Sequence, residues 1–154
     1  MPLTKLTWTD LLIEAADPNE LSDCLAPWGF VVTGQVAPIF LNRFGSWFLR
    51  RPDGSVDVLD VLEGTVNPLA PSYDVFATCV NNVQWQEDYL LSRQVFALHD
   101  AGLIATGTQC YAVPHPRQGF PDPRAPGGLN PQFVRLTSLK VWQSICRQAL
   151  GGPP

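Results

Sequence analysis

Paired cysteines, clusters of basic residues and long hydrophobic runs are all missing from this chain of 154 residues. Its four cysteines form no Cys-x-x-Cys pair, so the sequence predicts neither a zinc site nor a redox motif, and we expect buried free thiols in a reducing compartment. No apolar run approaches the roughly 20 residues of a membrane-spanning helix. The first residues lack the charged segment and apolar core of an export signal. These features predict a cytoplasmic protein without a membrane partner.

Positive charge is scarce and scattered. Ten Lys and Arg residues face fourteen Asp and Glu residues, which gives a formal net charge of −4. Proteins that bind nucleic acid normally carry a basic stripe that neutralises phosphates, and here only Arg50 and Arg51 are adjacent. The composition therefore excludes nucleic acid as the expected partner and favours a basic protein.

Motifs of known enzyme classes are also missing, including the Walker loop, Gly-x-Ser-x-Gly and His-Glu-x-x-His. Cys110 and His115 lie close in sequence and could form a thiol nucleophile with its base. However, Cys110 falls inside an apolar strand, where inert thiols are common, and His115 lies between two prolines, where we expect an exposed loop residue. We predict no catalytic residue, with a small cysteine-dependent hydrolase or transferase as the alternative.

Three carboxylates, those of Asp57, Asp60 and Glu63, could form a cluster for metal binding or acid–base chemistry. The odd spacing of Asp57 and Asp60 would place them on opposite faces of a strand, which argues against a shared site. We therefore predict no metal and no cofactor, and expect these carboxylates to be solvated residues of an edge strand; the alternative is that some of them meet a basic partner.

The clearest structural pattern is a hairpin over about residues 43–64. Pro52-Asp53-Gly54-Ser55 has the composition of a tight turn, because proline fixes φ, aspartate can bond its own backbone and glycine tolerates positive φ. β-favouring residues flank this turn, and their alternation predicts one buried and one solvated face. A hairpin alone is marginally stable, so further strands or a covering helix must complete a sheet.

Helix signals surround the hairpin. A short helix beginning at Thr9 or Asp10 should run to Asp17-Pro18, where a second helix starts with Asp17 as its N-cap. Ser72 should cap a third helix, and the longest helical pattern runs from about Val83 to Ala101. The final helix, 138–150, has its apolar residues at Val141, Trp142, Ile145, Cys146 and Ala149. Trp28, Trp47, Trp85 and Trp142 are expected in the core, with one or two as alternative interface residues.

This order of elements predicts an α+β fold with a central antiparallel or mixed sheet, built around the hairpin and covered by helices. We expect one domain over residues 1–154, with a helical segment 1–27, a sheet core 28–66 and a helical C-terminal part 67–154. A strand at 107–113 precedes a loop, 114–131, that is rich in proline and glycine. Loops longer than about 12–15 residues are commonly functional or disordered, and this one is a candidate binding segment.

Several motifs occur in an order that resembles a known family. They are Phe44-Gly45-Ser46-Trp47-Phe48-Leu49, Pro52-Asp53-Gly54-Ser55-Val56, Leu59-Asp60-Val61-Leu62-Glu63-Gly64, the segment from Leu103 to Tyr111, Gly127-Gly128 and Ile145-Cys146-Arg147-Gln148. Over roughly two thirds of the chain this order resembles the type VI secretion DNase-immunity family, whose members often carry a GAD-like segment ahead of that core. The chain departs from the pattern at Thr108 and in its longer proline-rich approach to the glycine pair.

The resemblance implies a cytoplasmic immunity protein that binds and blocks a cognate toxin, commonly a nuclease, without catalysing a reaction. In this role it is similar to SUKH-type immunity proteins, which share an α+β layout. A scaffold protein of the secretion system is a further alternative. From expected exposure, not from the family, we predict that the toxin contacts Asp57, Asp60 and Glu63 on the hairpin and Arg117, Phe120, Asp122 and Arg124 in the long loop.

Overall fold

A five-stranded antiparallel sheet, in the order β1-β2-β3-β4-β5, forms the centre of the computed structural model, which describes residues 6–14 and 17–152. Its strands are β1 (Leu12–Ile13), β2 (Ala37–Asn42), β3 (Trp47–Arg50), β4 (Val56–Asp60) and β5 (Thr65–Ala70). The helices are α1 (Trp8–Leu11), α2 (Pro18–Leu25), α3 (Tyr73–Val80), α4 (Val83–Trp85), α5 (Ser92–Asp100) and α6 (Leu139–Ala149). The predicted α+β fold is confirmed, and the sheet is antiparallel.

The predicted hairpin is the β3–β4 pair, with Trp47 opposite Leu59 and Arg50 opposite Val56. Gly54 has φ 88°, and the carboxylate of Asp53 accepts the backbone N–H of Ser55 at 2.9 Å. Both features are those that the turn sequence predicts, because they depend only on neighbouring residues.

The expectation of one solvated face is wrong for β3, whose residues Trp47, Phe48 and Leu49 are all buried. Trp47 lies on the face covered by α6, while Phe48 lies on the other face and packs against Phe76 of α3 and Trp85 of α4. A strand with both faces covered reads as a continuous apolar run. The carboxylates of β4 are not on an edge strand either, because β5 pairs with the outer side of β4.

A buried glutamine joins α6 to the turn between β2 and β3. Oε1 of Gln143 accepts the indole N–H groups of Trp28 at 2.7 Å and Trp47 at 2.9 Å, and Nε2 donates to the carbonyl of Gly45 at 2.8 Å. A Cβ on Gly45, which has φ 89°, would lie 2.7 Å from Cδ1 of Trp142. We call Gln143, Trp28, Trp47 and Gly45 the Gln143 cluster. These contacts give a physical reason for glycine at position 45 and tryptophan at position 47.

Three predicted helices are confirmed, with side-chain caps at their first turns. Asp17 accepts the N–H of Asn19 at the start of α2, Ser72 that of Val75 at the start of α3, and Ser138 that of Val141 at the start of α6. The inward face expected for α6 is wrong in part. Val141 and Ile145 are exposed, whereas the polar residues Gln143 and Arg147 are buried.

The first predicted helix is also wrong. α1 is capped by Thr7 and ends at Leu11, and Leu12 and Ile13 then pair with Asn42 and Leu41 as β1. Ala15, which was expected in the helix, lies outside the described residues. The sheet therefore begins before residue 28, and at its other end β5 continues past residue 66 to Ala70.

The long helix predicted from Val83 to Ala101 is interrupted. α4 continues into a π-helical turn, Gln86–Leu90, and Leu91 then adopts a left-handed conformation with φ 54° before α5 begins. The amide Nδ2 of Asn42 donates to the carbonyl of Tyr89 at 2.9 Å. A tertiary hydrogen bond thus occupies a carbonyl that an uninterrupted α-helix would use internally.

A second, two-stranded sheet is formed by β6 (Gln109–Ala112) and β7 (Arg135–Ser138). Strand β6 lies within the strand predicted at 107–113. Arg43, which is buried, connects this sheet to the central one, because its guanidinium donates to the carbonyls of Gly107 and Gln109. The loop 114–131 contains one 3₁₀ turn, Pro116–Gln118. Among the described residues, no helix has both the length and the apolarity to cross a membrane.

Candidate functional site

The turn between β4 and β5 positions two of the predicted partner-binding carboxylates. Oδ1 of Asp60 accepts the backbone N–H groups of Leu62 at 2.9 Å and Glu63 at 3.1 Å, so this side chain holds the turn from within. Gly64 closes the turn with φ 77°, and a Cβ there would lie 2.8 Å from Cδ2 of Leu150. The positive φ therefore favours glycine at this position, and any larger residue would also displace the side chain of Leu150.

Arg124 of the long loop brings these carboxylates together with a third. Its guanidinium donates to Oδ2 of Asp60 at 2.5 Å, to Oε1 of Glu63 at 3.1 Å and to both carboxylate oxygens of Asp122, at 2.9 and 2.8 Å. We call Asp60, Glu63, Asp122 and Arg124 the Arg124 cluster. Three carboxylates share one guanidinium, so the cluster carries two surplus negative charges at the surface.

The contacts between Asp122 and Arg124 favour the charged form of each side chain. Hydrogen bonds from Arg124 hold the pKa of the Asp122 carboxyl below its usual value, although its partial burial acts in the opposite direction. Burial alone would lower the pKa of Arg124, but its hydrogen bonds to Asp122 and its attraction to Asp60 outweigh burial and raise that pKa. Asp122 and Arg124 are therefore both ionised at neutral pH.

His115 attaches the long loop to the same turn. Its Nδ1 accepts the backbone N–H of Arg117 at 3.2 Å, so the proton is on Nε2, which donates to the carbonyl of Val61 at 2.9 Å. Burial lowers the pKa of this imidazole. The expectation of an exposed His115 is wrong, because the residue is buried. Hydrogen bonds from both ring nitrogens to the backbone offset the cost of removing the imidazole from water. Arg117 also donates to the carbonyl of Glu63, at 3.1 Å.

Not every predicted contact residue belongs to this site. Asp57 forms a separate ion pair with Arg51 at 2.8 Å. The expectation that Asp57 and Asp60 are solvated residues of an edge strand is wrong, because β4 is an inner strand and each carboxylate has an arginine partner. Phe120 lies on the long loop with 49% of its surface exposed.

Two cavities border the Arg124 cluster. One, of about 370 Å³, lies between α5, the preceding π-helical turn and the long loop. Its charged lining residues are Glu87, Asp88, Arg93 and Arg124, and Glu87 pairs with Arg93 at 3.0 Å. The other, of about 230 Å³, lies beside β4 and β5, and Asp60, Asp88 and Arg124 line it. The charges that line the first cavity balance, but Asp88 forms no ion pair with an arginine or lysine of the described residues, and we call this cavity the acidic cavity after it. Glu87 and Asp88 were not among the predicted site residues, because no local pattern indicates that their helical turn faces the loop.

The second candidate site, Cys110 with His115, lacks the features of a thiol nucleophile. Cys110 is fully buried, and burial raises the pKa of its thiol to about 12. Both ring nitrogens of His115 are already bonded to backbone groups. A reactive cysteine needs an accessible thiolate and a free base, and neither is present here. Burial also raises the pKa of the thiols of Cys24 and Cys146.

The described residues contain no group of three or more His, Cys, Asp or Glu side chains arranged to hold a metal ion. The Arg124 cluster presents carboxylates that hydrogen bonds already hold in fixed positions. Comparison with known proteins adds no assignment, because no protein-family model and no curated protein matches the sequence. The resemblance to the type VI secretion DNase-immunity family accordingly stays a prediction.

Proposed function

We propose that this protein is a cytoplasmic immunity protein that binds a secreted bacterial toxin, with a nuclease domain, and blocks it without catalysing a reaction. The observation that carries the proposal is the Arg124 cluster. It joins carboxylates from two segments about 60 residues apart at one surface, and those segments were the two expected to contact a toxin.

The charge of the Arg124 cluster suits such a target. A nuclease must present basic side chains that neutralise backbone phosphates, and carboxylates held at fixed positions can occupy those side chains instead. Because hydrogen bonds to the backbone and to Arg124 already fix Asp60 and Asp122, little side-chain entropy remains to be lost on binding. Opposite charge also accelerates encounter and makes it sensitive to salt.

An inhibition assay tests the proposal. The active toxin domain encoded by the adjacent upstream gene is mixed with DNA and increasing amounts of this protein, at low and at moderate salt. We expect stoichiometric inhibition, because the bound protein covers the surface that DNA needs. DNA cleavage that continues unchanged at a tenfold excess of folded protein would contradict the proposed function.

A pair of charge-reversal variants tests whether inhibition depends on the Arg124 cluster. Glu63→Arg changes the most exposed carboxylate of the Arg124 cluster, and Asp23→Arg makes the same change in net charge on the exposed side of α2. We expect Glu63→Arg to weaken inhibition at least tenfold and Asp23→Arg to weaken it less than threefold. Equal losses in both variants would show that only the total charge of the protein matters, and would remove the Arg124 cluster from the interface.

A further inference from the structure

An apolar groove lies along the long loop, next to the acidic cavity. Pro114, Phe120, Pro121, Leu129, Phe133 and Val134 contribute to its lining, and its volume is about 550 Å³. That volume lies within the range of 300–1,000 Å³ that is typical of binding pockets. We call the surface that these six residues line the apolar groove. The proposed recognition of charge gives this groove no role.

Two phenylalanine side chains of the apolar groove are open to solvent. Phe120 exposes 49% of its surface and Phe133 exposes 60%. Single exposed apolar residues are ordinary, but two aromatic rings that line one concave surface form a patch of the kind that marks interaction sites. Aromatic side chains with surrounding polar residues are also typical of the energetic centres of protein interfaces.

The apolar groove and the acidic cavity share one wall. Pro123, Gly127 and Leu129 line both of them. The wall has a defined conformation, because Ala125 donates to the carbonyl of Asp122 at 3.1 Å and a Cβ on Gly128 would lie only 1.8 Å from that same oxygen. The two surfaces are therefore presented together, at a separation that the loop conformation determines.

Charge on the acidic side of this wall identifies the kind of partner. Around the cavities and the Arg124 cluster, five carboxylates face three guanidinium groups, which leaves two of the four net negative charges of the whole chain here. Asp88 accepts a hydrogen bond from Nε2 of Gln84 at 3.0 Å, and in the described part of the chain no arginine or lysine forms an ion pair with it. A partner with basic side chains complements this surface.

We propose that the apolar groove receives bulky apolar side chains of the toxin, from a surface that also places an arginine or lysine against Asp88 in the acidic cavity. This inference rests on the proposed function and adds the chemistry of the partner. The apolar side chains supply most of the affinity and the cation supplies orientation. Arg135, the one charged residue among the described residues that line the apolar groove, donates to the carbonyls of Gln132 and Val134.

Calorimetric titration with a catalytically inactive form of the toxin domain tests the role of the apolar groove. The variant Phe120→Ala/Phe133→Ala removes both rings, and the control Phe30→Ala makes the same substitution at an aromatic residue of similar exposure, 45%, outside the groove. We expect at least a thirtyfold loss of affinity for the double variant and less than threefold for the control. Thermal unfolding of each variant confirms that it is folded.

A second variant tests the acidic side. Asp88→Asn keeps the size of the side chain and its hydrogen bond from Gln84 but removes the charge. We expect a three- to tenfold loss of affinity at low salt and a weaker dependence of affinity on salt than in the wild type. Because a neutral side chain forms no ion pair, unchanged salt dependence would overturn the assignment of a basic side chain to this cavity.

The outcomes separate this inference from the proposed function. If the phenylalanine variant binds as the wild type does while Glu63→Arg weakens binding, the apolar groove is not part of the interface and the proposed function stands. If the wild type does not bind, both fail. Light scattering after gel filtration tests the other candidate occupant of the groove, a second copy of this chain. A wild-type dimer that dissociates in the phenylalanine variant would mean that a second copy of the chain fills the groove, and would overturn the inference.

Discussion

Replacing Gln143 by leucine removes the side chain that joins α6 to the central sheet while keeping its approximate volume. Three buried polar groups lose their partners at once, namely the indole N–H groups of Trp28 and Trp47 and the carbonyl of Gly45. An unsatisfied buried group costs about 1–3 kcal/mol. With some relaxation, we expect the free energy of unfolding to fall by about 3–6 kcal/mol, which is a large part of the roughly 5–15 kcal/mol of a typical domain.

Urea unfolding, followed by circular dichroism, measures this loss. The control is Gln148→Leu, which makes the same substitution on the exposed side of the same helix and should change the unfolding free energy by less than about 0.5 kcal/mol. A double-mutant cycle adds Trp47→Phe. This substitution should lower the unfolding free energy by at least about 1 kcal/mol less in the Gln143→Leu variant than in the wild type, because in the variant the indole N–H of Trp47 has already lost its partner. A Gln143→Leu variant within about 1 kcal/mol of the control would refute this account of the cluster.

Two further predictions concern titratable groups. Because burial lowers the pKa of His115 in the folded protein, the unfolded chain binds a proton first, so stability should be full above pH ~6.5 and should decline as pH falls below that value. His115→Gln should show a smaller decline in urea unfolding over the same range, and an equal decline would exclude His115 as its cause. Because the pKa of Cys110 is about 12, iodoacetamide at neutral pH should label the half-buried Cys79 well before Cys110. Mass spectrometry of the labelled native protein tests this, and rapid labelling of Cys110 would restore the nucleophile hypothesis.

Features that depend on neighbouring residues could be predicted from the sequence. The Pro52-Asp53-Gly54-Ser55 turn and the caps Asp17, Ser72 and Ser138 are made by side chains that bond backbone groups two or three residues away. Such interactions leave a local signature, because few residue types can make them.

Features that depend on distant residues could not be predicted from the sequence. Leu12 and Ile13 form a strand because β2 is available for pairing, and the helical pattern from Val83 onward is interrupted where Asn42 bonds the carbonyl of Tyr89. The inward face of α6 was misjudged because its central residue, Gln143, is polar and has its partners on other elements. Tertiary hydrogen bonds and strand pairing override local preference in each case.

The candidate site shows the same division. The sequence suggested Asp60, Glu63, Asp122 and Arg124 as candidate contact residues, but no sequence pattern indicates the hydrogen bond from Arg124 to Asp60, which is 64 positions earlier in the chain. Glu87 and Asp88 were missed because they are ordinary helix residues until the loop packs beside them. The glycine pair, in contrast, follows from local geometry, since Gly127 has φ 74° and Gly128 approaches the carbonyl of Asp122.

The most direct test of the central claim is a calorimetric titration of the wild-type protein with the inactive toxin domain encoded by the adjacent upstream gene. We predict one-to-one binding with a nanomolar dissociation constant at low salt, and weaker binding as salt screens the carboxylates of the Arg124 cluster. No detectable binding at low salt, with both proteins folded, would contradict the claim that this protein neutralises that toxin.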